Sequence, residues 1–335
     1  MSVSIFVNGK QIPYVSATWS GTENQAARKL DFTVPNNPYD KNFDNPKIAL
    51  GDPVDFYDEK KLLYRGIITS REKTGQIGTA SYESYDYMHY LLRSNVTKVF
   101  KKTTPKKVTV ALCKMVGLEY TKLEDPKVNI KKVIYQDKSL YDIIVAVYRK
   151  ALVAKGGRYM PTMVGSKLSV IVKGADSGVT LDQAKDITGA TFHDTTNNMV
   201  NQVKIYDQKR KQKGQIRNKK QIASYGTYQQ VYTMENKEKT ANAKKSAEAM
   251  LVGITKEASV EAIGDVRAIA GKALVIHDSA AGISGVFYIS SDTHTFQNGV
   301  HTMSLELNFA NEMETGAEEE KDKKKKKKEE NTEND

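Results

Sequence analysis

Two long stretches of this chain consist of short runs in which apolar and polar residues alternate between turn residues. No other feature restricts the fold as much. Leu30, Phe32 and Val34 alternate, as do Val54 and Phe56 and the residues from Leu63 to Ile67. Towards the other end, Val286, Tyr288 and Ser290 follow the same rule, and so do Met303, Leu305, Leu307 and Phe309. A period of two puts one face of a strand on a core and the other in water. Asn8-Gly9 has the residues of a tight hairpin turn, and Asn36 to Pro46, rich in Asn, Asp and Pro, reads as a surface loop. Residues 1–95 are therefore expected to form a first antiparallel barrel or sandwich. Residues 189–312 are expected to form a second, with one helix from Thr240 to Leu251.

Between them the period changes. Ser139 supplies an N-cap, Asp142 completes a capping pattern, and Leu140, Ile143, Ile144, Val147 and Ala151 recur at helical spacing as far as Gly156-Gly157. Tyr159 to Met163, Gly165-Ser166 and Leu168 to Val172 then read as strand, turn, strand. A second helix follows Thr104-Pro105 through VTVALCKMV and closes at Gly117, and a short one spans Asp86 to Arg93. Residues 117–139 look extended. The middle region, 96–188, is thus a mixed α/β domain, and the fold class is mainly β with two β domains flanking it.

The chain's 335 residues leave room for more than one core, since domains usually run ~100–200 residues. A hydrophobic content of 39% with a mean hydropathy of −0.54 is low for a chain that buries everything internally, which points to much solvated surface or to cores shared between subunits. The net charge of +11 favours solubility and acidic partners without fixing a fold. The N-terminus lacks a basic segment followed by an apolar run, and no window reaches ~18 consecutive apolar residues. A soluble protein without a signal peptide is expected, one that leaves a cell by lysis or inside a particle. Residues 313–335 are almost wholly charged, and a disordered tail is expected there.

The search for chemistry singles out no catalytic, cofactor-binding or metal-ligating residue. Cys113 sits on an apolar helical stripe and is expected to be a core thiol; Trp19 is expected to pack in a core or anchor an interface. His294 and His301 flank the Gly299 turn and could face each other, with His193 and His277 in the same half, but no HExxH or paired CxxC is present. Glu23, Asp31 and Glu83 could be paired as in a glycosidase, as could many other acids here. GxSxG, Walker and GxGxxG patterns are missing. Lys209, Arg210, Lys211, Lys213, Arg217, Lys219 and Lys220 read as a charged hairpin turn between two strands. That turn either guards a strand end or meets an acidic protein or a nucleic acid, with Tyr206 and Tyr225 available for stacking. Gly51-Asp52 and Gly264-Asp265 each open a similar order of strands, which suggests an internal duplication.

The order of ARKLDFTVPN, GDPVDFYDEKKLLYRGIITS, TPKKVTVALCKMVGLEY, SLYDIIVAVYRKALVAKGGRYM, TTNNMVNQVKIYD and GVHTMSLELNF resembles the baseplate hub proteins of contractile phage tails and phage-tail-like bacteriocins, over about residues 1–312. The resemblance implies a non-enzymatic structural protein without cofactor. It also implies two tail-tube-like barrels per chain and a homotrimer of pseudo-six-fold symmetry that adapts a hexameric tail tube to a trimeric central spike. Implied neighbours are the tube protein, the spike, other baseplate proteins and a tape-measure protein in the channel, with no membrane. The implied location is a virion or tail-like particle. A peptidoglycan-acting tail enzyme, or a nucleic-acid-binding protein acting through 207–221, are the alternatives.

Overall fold

The computed structural model describes residues 3–23, 25–75, 77–236 and 238–311. The expected charged tail at 313–335 lies outside them. The first strands are β1 (Val3–Val7), β2 (Lys10–Ile12), β3 (Ser16–Thr22), β4 (Gln25–Asn36), β5 (Pro53–Asp58), β6 (Lys61–Lys73) and β7 (Gly78–Asp86). Then come α1 (Met88–Arg93), β8 (Asn95–Thr103), α2 (Pro105–Met115), β9 (Tyr120–Leu123), β10 (Ile130–Ser139), α3 (Leu140–Lys155), β11 (Tyr159–Val164) and β12 (Lys167–Val172). The chain continues with β13 (Ala175–Asp182), β14 (Ile187–Thr195), β15 (Gln202–Tyr206), β16 (Gln212–Arg217), α4 (Lys219–Tyr225), β17 (Gln229–Thr233) and α5 (Thr240–Ala249). It closes with β18 (Thr255–Ile263), β19 (Lys272–Asp278), β20 (Ile283–Gln297) and β21 (Val300–Asn308). The protein is mainly β, with one large, largely antiparallel sheet and small mixed sheets.

The large sheet runs β14-β18-β21-β20-β3-β4-β7-β6-β5-β1-β2, and β19 branches from β20 to pair with β13. Two matching orders lie within it: β3-β4-β7-β6-β5-β1 and β14-β18-β21-β20-β19-β13. The long strand of each order is bulged, between Ile68 and Ser70 in β6 and between Ile289 and Ser291 in β20. Gly51 and Gly271 both have φ of 86° and donate their N–H to Ile68 and Ile289 at 2.8 and 2.9 Å. That left-handed conformation is open to glycine at little cost. The two orders thus set strands in like places, and Gly271, not Gly264, stands where Gly51 does. Gly264 instead begins a turn in which Asp265 accepts the N–H of Arg267. One difference remains: β1 runs antiparallel to β5, whereas β13 runs parallel to β19.

Contacts divide the chain into one unit of 1–190 with 259–335 and a second of 191–258. β20 pairs with β3 from Ser291 opposite Thr22 to Gln297 opposite Ser16 and so binds the last strands to the first. In the first unit Ile5, Trp19, Leu30, Phe32, Phe56 and Ile68 form a core that also takes Phe296 of β20. The turn at Asn8-Gly9 is as expected, with both residues at positive φ and Val7 opposite Lys10.

The middle elements pack around α3. Ser139 Oγ accepts the Asp142 N–H at 3.0 Å, and Gly156 closes the helix in the left-handed conformation. More than one stripe is buried: Tyr141, Val145, Ala146 and Tyr148 are covered along with the expected residues, since α1, α2, β10 and β11 surround the helix. Cys113 is fully buried in the same core.

In the second unit, β16, β15 and β17 form a sheet with α5 on one face, around Val203, Ile205, Met234, Ala243 and Ala247. The basic stretch is not one turn between strands. Lys209, Arg210 and Lys211 make the turn, Gln212–Arg217 is strand, and 219–225 is helix because the Asn218 side chain caps it by accepting the Gln221 N–H.

Candidate functional site

Strand pairing sets three rows of side chains across six strands on the face of the large sheet opposite the core of Leu30 and Phe32, with Tyr85 at its margin packed against the middle core. The first row is Thr302, Thr295, Thr18, Asp31, Glu83 and Ser70. The second is Ser304, Thr293, Ser20, Lys29, Tyr85 and Ile67, and the third is Val300, Gln297, Ser16, Thr33, Ser81 and Glu72. Short hydroxyl side chains dominate the middle of this face. Ser16 and Thr33 bond at 2.9 Å, and Lys29 bridges Asp31 at 3.1 Å and Glu83 at 2.6 Å. A shallow open depression of about 330 Å³ runs over Thr18, Asp31, Thr33, Ser81 and Glu83. It is open and lined by hydroxyl and charged side chains, and it does not enclose a small ligand.

Beneath this face lies a buried ionic centre where β20 meets β3. Arg28 donates to both oxygens of Asp292, at 2.8 and 2.5 Å, and Asp292 also accepts the Ala270 N–H at 2.6 Å. Burial alone would raise the Asp292 carboxyl, yet the Arg28 guanidinium, helped by His294, holds it down to about 2. Arg28 also lies 4.0 Å over the Trp19 ring, so Trp19 is both a core residue and the cover of this pair. Burial pushes Asp86 up to about 7 although it accepts the N–H groups of Arg28 and Met88.

His294 and His301 do meet across the β20–β21 hairpin, at 3.1 Å between Nδ1 and Nε2. The Ala268 carbonyl, 3.1 Å from His294 Nε2, can only accept, so that nitrogen carries a proton. Burial, then the neighbouring His294, lowers His301 to about 4. Among the described residues no His, Cys, Asp and Glu group of three or more could hold a metal.

Glu23 is separated from Asp31 and Glu83. It forms an almost fully buried pair with Lys173 at 2.6 Å and accepts the Asn308 amide at 2.7 Å, tying the end of β3 to the residue after β12 and to the last strand. Two acids in salt bridges and one locked elsewhere make no acid and base pair. Burial pushes the Cys113 thiol up to about 11, which makes it a poor nucleophile. The hydroxyl rows were missed from sequence, although alternate Ser and Thr at 16, 18 and 20, at 293 and 295, and at 302 and 304 are their signal. Among the described residues no helix is long and apolar enough to cross a membrane.

A family model described as YQBQ-like matches residues 17–308. The phage-like element PBSX protein XkdQ of Bacillus subtilis (strain 168) is 25% identical over 309 residues, covering 90% of this chain and 94% of that protein. The fold is similar to that of the 43 kDa tail protein of prophage MuSo2 from Shewanella oneidensis, with a TM-score of 0.70, 10% identity, and coverage of 92% of this chain and 98% of that one. It is also similar to the E. coli c3393 protein, a component of the type VI secretion system with structural similarity to the T4 bacteriophage tail proteins gp27 and gp5. There the TM-score is 0.52 at 11% identity, covering 95% of this chain and 79% of that one.

Proposed function

Since the chain belongs to the YQBQ-like family, we propose that it is a non-enzymatic structural hub of a phage or phage-like tail baseplate. In this reading three copies close a ring on the tail axis, each giving two barrel-like β units and a mixed middle domain. The ring is six-fold to the tail tube above and three-fold to the spike below. The observation that carries it is the repeated strand order β3-β4-β7-β6-β5-β1 and β14-β18-β21-β20-β19-β13 in one chain. A six-fold ring and a three-fold spike can both make regular contacts only with an adapter that holds both symmetries, and two like units in each of three chains supply it.

The Ser and Thr rows form the wall of the ring's channel in this account. Short hydroxyls hydrogen-bond to water and present no large apolar area, so a tape-measure protein or DNA would pass without sticking. The likeness to the MuSo2 tail protein and the c3393 protein supports the fold this role requires, and the relation to the PBSX protein supports a phage-like element as its place.

Sedimentation of the full chain, alone and with the spike protein of the same particle, tests the proposal. A species of three copies is expected; a monomer under all conditions, even with spike present, contradicts it. A cell-wall zymogram separates hub from hydrolase, since no cleared band is expected from the hub.

A further inference from the structure

Inside the chain, the pairing of β20 with β3 joins the two β units into one sheet. Beyond the bulge, β20 continues from Ser291 to Gln297 between β21 on one edge and β3 on the other. Its counterpart β6 continues past its own bulge from Ser70 to Lys73, paired with β7, and β5 reaches only as far as Ile67. The other edge of this segment has no strand beside it among the described residues, and Ser70, Arg71, Glu72 and Lys73 are exposed.

The matching end of the sheet is β14, the terminal strand beside β18 as β3 stands beside β4. The two strands also agree in sequence. Ala17-Thr18-Trp19 and Thr22 of β3 recur as Ala190-Thr191-Phe192 and Thr195 of β14. An extended edge without a neighbour is a template for another strand, and a fold that leaves two such edges at opposite ends of one sheet invites head-to-tail joining.

We infer that β14 of one subunit pairs antiparallel with the end of β6 in the next, repeating between chains the contact that β3 makes with β20 within one. The inference rests on the ring reading above. The register follows from the bulges, which make Ile68 equivalent to Ile289 and Ser70 to Ser291. In β3 and β20, Trp19 faces His294, Ser20 faces Thr293, Gly21 faces Asp292 and Thr22 faces Ser291. Carried over, Phe192 faces Lys73, His193 faces Glu72, Asp194 faces Arg71 and Thr195 faces Ser70.

Charge plays no part in setting that register, yet it places Asp194 opposite Arg71 and His193 opposite Glu72. Like charges directly across a pair of strands would oppose it; the opposite charges of Asp194 and Arg71 support it. The faces agree as well. Glu72 and Ser70 lie with Ser81 and Glu83 on the hydroxyl face, so His193 and Thr195 extend that face into the next subunit. In the ring reading, equal contacts alternate, one inside each chain and one between chains, around three chains.

Disulfide trapping with the full chain tests this. In the pair E72C/H193C, oxidation is expected to yield covalent trimer, while E72C/T191C, two residues out of register, yields at least tenfold less. Cys113 is buried and stays out of the reaction. R71D or D194R alone is expected to weaken trimer formation at least tenfold, and R71D/D194R together to restore it. A wild-type trimer that R71D leaves intact and E72C/H193C does not trap overturns this interface while leaving the ring. A wild-type chain that never trimerises overturns the ring itself and this contact with it.

Discussion

Arg28 holds Asp292 in a two-pronged ion pair across a sequence separation of 264 residues, and this pair lies where the first and last strands of the chain become one sheet. Asp292 is fully buried. Removing one member leaves a buried charge without its partner, and such losses cost about 3–5 kcal/mol. D292N and R28M are each expected to lower the unfolding free energy by about that much in denaturant titrations. The double variant R28M/D292L should lose less than the two single changes added together.

Acid should act on the same pair. Asp292 is held below the ordinary carboxyl range, so its stabilising effect is complete above about pH 4 and is lost as pH falls towards about 2. In the D292N variant that part of the acid response should be absent from a stability profile taken between pH 5 and pH 2.

Asp86 and His301 pull in opposite directions at milder pH. Asp86, raised to about 7, keeps a proton that the unfolded chain gives up above about pH 4, so stability falls as pH rises through that window, by at most about 1.4 kcal/mol per unit. His301, lowered to about 4, stays neutral where the unfolded imidazole takes a proton below about pH 6.5, so its contribution falls as pH drops. H301N is therefore expected to show stability declining steadily from pH 4.5 to 7. D86N should show the reverse slope, whatever its absolute loss.

Gly51 and Gly271 are equivalent in the two β units but differ in surroundings. A Cβ on Gly51 meets open space, whereas on Gly271 it meets the Met160 sulfur. G51A should cost about 1–2 kcal/mol from its left-handed backbone alone. G271A should cost more, and thermal melts of the two variants, read side by side, decide it.

Cys113 should react with a thiol reagent no faster than the protein opens. Its burial and raised pKa both suppress thiolate at neutral pH. A rate equal to that of a free thiol in native buffer would contradict the packing of α2 against α3.

Local signals carried most of the strands and helices. Alternation marked β4, β6, β20 and β21, and the caps at Thr104 and Ser139 with glycines at 117 and 156 bounded α2 and α3. Two kinds of feature stayed hidden. Pairings between distant segments, such as Trp19 with His294 or Glu23 with Lys173, leave no trace in spacing, so the union of β3 with β20 could not be read. The second was α4. Its residues QIASY carry no strong period, and only the Asn218 cap decides for helix. Gly264-Asp265 resembles Gly51-Asp52 only locally, because a Gly-Asp pair is a common turn in its own right, whereas Gly271 shares the backbone conformation of Gly51 without its following Asp.

The most direct test is an image of the assembled particle averaged along its axis with this chain located in it. The account predicts three copies on the axis, six similar β walls around an open channel, and Ser16, Thr18 and Thr295 facing that channel. A chain lying away from the axis, or present in a number other than three, would contradict it.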